Sequence, residues 1–258
     1  MGSASREALA AAKAALNGKL GASAGAELLA ASAQIAASPA LLGALADSSA
    51  AAAAKAGLVE RLFGGVSAGA RGVLTASVEQ AWSNADELLS GIEELGLRAE
   101  AIAHADLADE LLSAAGVIDA NHELELSLGS KLGDPAAKAA LAERIFSGKL
   151  SEAAVGVIAH LVANPRDRRI SAALRESARV AADQGGSELA TVTVAAPLTA
   201  AQQKKLAGLL EQSAGRSVRV TTVVDPALVG GVRIQIGDDV IDGSVRSRIE
   251  DLRLQLAG

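Results

Sequence analysis

From residue 1 to about 187, apolar residues recur three and four positions apart with polar residues between them, the spacing of helices that each bury one face. Breaks fall at Gly, Ser, Asn or Pro, the residues that start and stop helices. The spacing predicts helices near 4–17, 24–37, 39–46, 50–63, 67–95, 104–115, 121–132, 135–146, 151–163 and 167–184. Pro39 follows Ser38 and Pro135 follows Asp134, in each case a capping residue and then a first-turn proline. Past Gly185-Gly186 the period shortens: Leu189, Val192 and Val194 with interleaved threonines predict a strand. Thr199 and Gln202 form a capping box, opening a helix with Leu206, Leu209 and Leu210 on one face. Strands at 217–224 and 231–236, joined through the turn at Asp225-Pro226, read as an antiparallel hairpin. After Asp242-Gly243-Ser244 a last helix aligns Val245, Ile249, Leu252 and Leu256 in one stripe, with Arg246, Glu250 and Arg253 at ion-pair spacing on another. The fold class is therefore mainly α. A multi-helix bundle domain over 1–187 precedes a small α/β domain over 188–258 with the order strand-helix-strand-strand-helix.

Within the helical region, Lys55-Ala-Gly-Leu-Val-Glu-Arg-Leu-Phe63 lies over Lys138-Ala-Ala-Leu-Ala-Glu-Arg-Ile-Phe146, and after a one-residue shift Ser67 onward lies over Ser151 onward. A duplicated helix-turn-helix explains such self-similarity. Alanine-rich helices also resemble one another by chance, so the likeness alone leaves both readings open.

Composition sharpens the picture. Half of the residues are hydrophobic but only 1% are aromatic, Phe63, Trp82 and Phe146. Alanine and leucine must do the packing, which favours helices and thin cores. The net charge of −6 argues against nucleic acid as the main partner. The absence of cysteine excludes disulfides, thiolate metal sites and a cysteine nucleophile. Arg6, Glu7 and Lys13 interrupt the first segment, so no signal peptide is expected there. No apolar run reaches about 18 residues, so no membrane span is expected, and a soluble cytoplasmic protein is the expectation.

Little catalytic chemistry stands out. Gly230-Gly231 precede a strand rather than a helix and belong to no phosphate-binding motif, so a bulge or close backbone approach is the expected role. The GxSxG pattern occurs twice, around Ser23 and Ser67, which would be the nucleophiles of a serine hydrolase. Neither follows a strand, as a nucleophile elbow requires. His104, His122 and His160 show no metal-binding spacing. Acidic residues such as Glu93-Glu94, Asp109-Glu110 and Glu123 to Glu125 read as a solvated helix face. Arg166, Arg168 and Arg169, with Asp167 and Glu176 nearby, read as an ion network at a helix start.

The tail resembles a known family. Pro197-Leu198, Gln202, Asp225-Pro226, Leu228, Gly230-Gly231, Gly237, Ile241-Asp242-Gly243-Ser244 and the helix from Arg246 to Leu252 resemble, in order and spacing, the C-terminal domain of the delta subunit of F-type ATP synthase. That family includes the mitochondrial oligomycin-sensitivity-conferring protein. Lys138, Leu141, Phe146 and "IAHLVANPRDRRI", with Asn164 and Arg166, resemble its later bundle helices. "SPALLGALADSSAAAAAKAGLVERLF" resembles its earlier ones. The likeness is strong over 138–258 and weaker over 1–63. The chain is longer than most members, and the excess is expected near 64–137. A tyrosine usual in the family's first helix is absent at Arg6-Glu7-Ala8-Leu9.

The resemblance implies a non-catalytic stator subunit, with no cofactor and no metal, peripheral at the cytoplasmic face of the membrane. It implies two partners, the N-terminal segments of the alpha subunits and the C-terminal helices of the b subunits. Leu9, Leu16, Leu20, Asn164 and Arg166 are the implied partner-binding positions. Asp225, Pro226, Gly230, Gly231, Gly237, Asp242, Gly243, Ser244 and Arg246 are the implied structural ones. A helical adaptor unrelated to ATP synthase is the alternative.

Overall fold

A computed structural model describes residues 1–225, 228–236 and 239–243. Pro226, Gly237, Ser244, Arg246 and the expected closing helix lie outside the described residues. Internal contacts divide the chain into two compact units, Met1–Ala181 and Ala182–Gly258.

The first unit is a ladder of helices. The opening helix α1 (Ser3–Lys13) runs into a 3-10 turn at Ala14–Asn17. Then follow α2 (Ala24–Ala36), α3 (Pro39–Ala46), α4 (Ala52–Leu62), α5 (Ala68–Val78) and α6 (Ala85–Ala103), and after them α7 (Leu107–Asp119), α8 (His122–Gly129), α9 (Pro135–Phe146), α10 (Glu152–Ala163) and α11 (Ile170–Gln184). The bounds of α7 and α8 are those of α2 and α3 displaced by 83 residues. The starts of α9, α10 and α11 follow those of α4, α5 and α6 by 83, 84 and 85. The repeat is thus a five-helix unit, wider than the helix-turn-helix visible in the sequence. Of the matched positions, Glu60, Arg61, Glu143 and Arg144 are exposed, and the lysines and phenylalanines are buried. Phe63 and Phe146 lie in the core at the end of the third helix of each copy, and Lys55 and Lys138 are buried early in it.

One side-chain device recurs in both copies. Ser67 donates through its backbone N–H (2.9 Å) and its hydroxyl (2.5 Å) to Glu27 on α2. Ser151 donates in the same two ways, at 2.8 and 2.6 Å, to Glu110 on α7. Each serine also accepts from the backbone three residues on, so it caps its own helix while tying it to the first helix of its copy. Burial pushes the Glu27 carboxyl up, but the hydrogen bonds from Ser67 outweigh it and hold it below the usual range.

Small residues set the helix spacing. A methyl on Gly25 of α2 would stand 2.6 Å from the backbone nitrogen of Glu100 on α6, and one on Gly96 would meet Leu29 at 3.0 Å, so glycine permits the crossing from both sides. The single helix expected over 67–95 is two, α5 and α6. Between them Trp82 turns inward and donates its indole N–H to Ser77 O at 2.8 Å, and Asn84 caps α6 by accepting from Glu87 N at 2.9 Å. Ser83-Asn84, of the kind that starts helices, mark that break, but the apolar periodicity runs through them.

The second unit holds β1 (Glu188–Val194), α12 (Ala200–Ala214), β2 (Val218–Val224), β3 (Val232–Ile236) and β4 (Asp239–Asp242). The capping box at Thr199 and Gln202 is present, and Gly215 ends α12 in the left-handed conformation. The strand order is β2-β1-β3-β4, with β1 parallel to β2 and antiparallel to β3. The expected hairpin between 217–224 and 231–236 does not form, because β1 lies between those two strands. β1 is the most completely buried strand, and burying it on both edges satisfies its ladder where exposure would not. β3 instead pairs with β4, a strand the sequence reading did not include, and Asp242 ends that strand opposite Arg233. Gly243 donates its N–H to Val232 O at 2.9 Å.

Gly230 and Gly231 precede β3 with φ of 157° and 84°. The second angle is one that a β-branched residue adopts only with strain. Gly231→Val should therefore lower the stability of the C-terminal unit by more than about 1 kcal/mol. A thermal melt unchanged from wild type would rule this out.

Candidate partner-binding site

The implied partner-binding residues fall into two groups. Leu9 and Leu16 are buried in the core shared by α1 to α6, and Leu20 is half-buried against it, so the first two offer a partner little surface. Asn164 and Arg166 follow α10. Asn164 donates its side-chain N–H to His160 O at 2.9 Å, closing the helix end.

Arg166 belongs to a buried ionic cluster that the sequence did not reveal. Its centre is Glu93 on α6, 4% exposed. Arg166 contacts Glu93 Oε2 at 2.8 Å, Arg168 contacts Oε1 at 3.0 Å, and His160 Nε2 on α10 lies 3.3 Å from Oε2. Arg166 also donates to Ser90 Oγ at 3.2 Å. Desolvation alone would raise the Glu93 pKa. The hydrogen bond from His160 and the charges of Arg166 and Arg168 overcome it, and the carboxyl sits below the usual glutamate range. Glu100, about two turns further along α6, shows the opposite balance: burial raises its pKa, and His104 opposes the rise only in part.

Two expectations change here. Glu93 is no part of a solvated face. The arginines do not form a local helix-start network either: Asp167 pairs with Lys131, and Glu176 pairs with Arg179. Arg166 and Asp167 have φ of 45° and 60°, a left-handed turn that non-glycine residues seldom take. Glu93 holds the arginines on either side of Asp167 and so fixes that turn from below. The hydrophobic–polar pattern gave no sign of Glu93, since a buried charge breaks the rule on which the pattern rests.

The two GxSxG serines converge on one acceptor. Ser23 donates to Glu27 Oε1 at 3.0 Å, and Ser67 donates to Glu27 Oε2. Both hydroxyls thus bond a carboxylate held in its ionised form, in capping positions at the starts of α2 and α5. Among the described residues no group of three or more His, Asp or Glu could hold a metal ion, and no single helix is long and apolar enough to cross a membrane.

Residues 95–256 match the family described as the ATP synthase delta (OSCP) subunit. The chain belongs to the ATP synthase delta (OSCP) subunit family. A relative in Leifsonia xyli subsp. xyli, ATP synthase subunit delta, is 46% identical over the whole of both chains. That of Nocardia farcinica is 38% identical over 98% of this chain and 96% of its own. A chain in the cryo-EM structure of Toxoplasma gondii mitochondrial ATP synthase hexamer is 23% identical, with a TM-score of 0.37, over 60% of this chain and 88% of its own. For this member of the delta family, the match takes in 95–137, much of the stretch where an insert was expected, and leaves out residues 1–94.

Proposed function

We propose that this chain is a stator subunit of the ATP synthase, a structural link that catalyses no reaction of its own. It holds N-terminal segments of the alpha subunits through its helical unit and C-terminal helices of the b subunits through its C-terminal unit. It works at the cytoplasmic face of the membrane that carries the complex, so that the catalytic head stays fixed while the rotor turns. The full-length likeness to a chain named ATP synthase subunit delta carries this reading. Two separately cored units on one chain suit a part that is held at two places. Helices packed on alanine and glycine leave shallow grooves of the kind an amphipathic partner helix fills. Two modest contacts on one chain reach nanomolar holding, about −12 kcal/mol, through avidity.

The test is a titration of the full chain with fluorescent segments of the alpha N-terminus and the b C-terminus from the same organism. Both should bind, and neither should displace the other. Competition between them, or binding of neither to the full chain, would overturn the two-ended link.

A further inference from the structure

The seam between the two copies of the five-helix unit holds a cleft of about 230 Å³. Its sides are α2, the first helix of the first copy, and α10, the fourth of the second, with Glu100 of α6 buried between them. A single copy could not form it. Ala26, Ala30 and Gly156 are exposed at its mouth, and Leu29 and Val157 are buried further in.

Glu100 reaches the cleft through a gap that the sequence of α2 leaves for it. A Cβ on Gly25 would stand 2.5 Å from Glu100 Cγ and 2.8 Å from its Cδ, so the side chain crosses α2 where α2 has none of its own. The carboxylate then accepts from the backbone N–H of Ala26. Its ion-pair partner is His104, at 3.6 Å and 40% exposed, which carries charge only when protonated. Among the described residues no Lys or Arg lines the cleft. Burial of Glu100, 4% exposed, therefore outweighs the charge it meets, and its pKa is raised. A second carboxylate, Glu152, stands at the rim in the first turn of α10, and His160 closes one end with its Nε2 turned to Glu93.

An apolar cleft with a few converging polar groups, one of them a buried acid with a displaced pKa, has the character of a small-ligand site. Two carboxylates without a lysine or arginine favour a cation, and walls of alanine, leucine and valine favour carbon. A helix, about 10 Å across, does not fit in that volume. Among the described residues no group of three acids or histidines could hold a metal ion. The Glu100 carboxylate keeps lone pairs beyond those that Ala26 and His104 use.

We propose that this cleft binds a small primary alkylammonium ion, its N–H groups on the Glu100 carboxylate and its hydrocarbon chain between Ala30, Gly156 and Val157. The inference goes beyond the stator reading and does not depend on it.

Its test uses the full chain, isotope-labelled for amide NMR and titrated with n-butylammonium chloride, with n-butanol and sodium chloride as controls. The amide signals of Ala26, Ala30 and Gly156 should move together with butylammonium and saturate, with half-saturation at about 1 mM, a range that so small a ligand can reach. Glu100→Gln keeps an acceptor for Ala26 but removes the charge, and Gly156→Leu fills the mouth at a position where an added Cβ meets nothing within 4 Å. Each should weaken binding tenfold or more. Glu143→Gln, on an exposed residue elsewhere in the second copy, should bind as wild type does. Melting temperatures verify that each variant folds, and Gly156→Leu decides the matter should Glu100→Gln misfold. A wild type without saturable shifts, or changes below threefold in both cleft variants, would overturn the site. Butanol binding as tightly as butylammonium would show that the charge of Glu100 is not what the cleft uses, and would overturn the proposal as well.

Discussion

Glu93→Gln should lower the stability of the helical unit by about 3 kcal/mol. The substitution keeps the shape of the side chain and removes its charge, leaving Arg166, Arg168 and His160 facing a neutral amide. Breaking a buried pair by removing one partner costs roughly 3–5 kcal/mol, and the lower end applies because both arginines keep partial access to water. For a chain of this size that corresponds to a fall in Tm of roughly 6–12 °C. The pH dependence has a definite sign. Glu93 titrates below an unfolded glutamate, which ionises near about 4.3. Its contribution is therefore complete above that pH and is lost as the pH falls through the lower folded value. Thermal melts of wild type and Glu93→Gln should differ most near pH 7 and converge well below pH 4, at about the acidity where Glu93 itself takes up a proton. A gap that stays constant from pH 7 to pH 3 would mean that the charge is not what the site uses.

Trp82→Ala should cost about 3–5 kcal/mol, because the ring is 6% exposed, fills the turn between α5 and α6, and leaves a cavity when removed. Gly91 is its partner: an added methyl would stand 2.1 Å from the far edge of the indole and 2.5 Å from the next ring carbon. Gly91→Ala alone should therefore cost about 1–3 kcal/mol through overpacking. With the ring gone, the methyl enters the space the ring vacates. The double variant should then be more stable than the sum of the two losses by roughly 1 kcal/mol or more. Urea unfolding of all four proteins reads the coupling directly, and strictly additive losses would show that the ring does not pack on Gly91.

Neither site follows from the apolar periodicity alone. The break at 79–84 has no glycine or proline, and a buried tryptophan supplies the turn that those residues usually supply. Glu93 sits beside Glu94 in a stretch that reads as polar surface, yet Glu93 is buried and Glu94 pairs with Arg98 one turn away. The difference between neighbours comes from residues about 70 positions further along the chain. The repeat was legible only in one short stretch where both copies keep Lys, Glu, Arg and Phe at equal spacing, from Lys55 to Phe63 and from Lys138 to Phe146. Ser67 and Ser151 also align, but that each is held by a glutamate 40 or 41 residues earlier emerged only from the fold.

The sequence by itself determined most helix positions, the capping box at Thr199, the glycine requirement before β3 and the delta-family likeness of the tail. These rest on short-range physics: helical periodicity, caps and allowed backbone angles act within a few residues, so a linear reading detects them. Only the tertiary structure decided which strand fills the middle of the sheet, that the repeat spans five helices, and that Glu93 gathers Arg166, Arg168 and His160. Each of those is a pairing between residues far apart in the chain. Which partner a buried charge or a strand edge finds depends on what the whole fold brings within a few ångströms, and no local spacing encodes that distance.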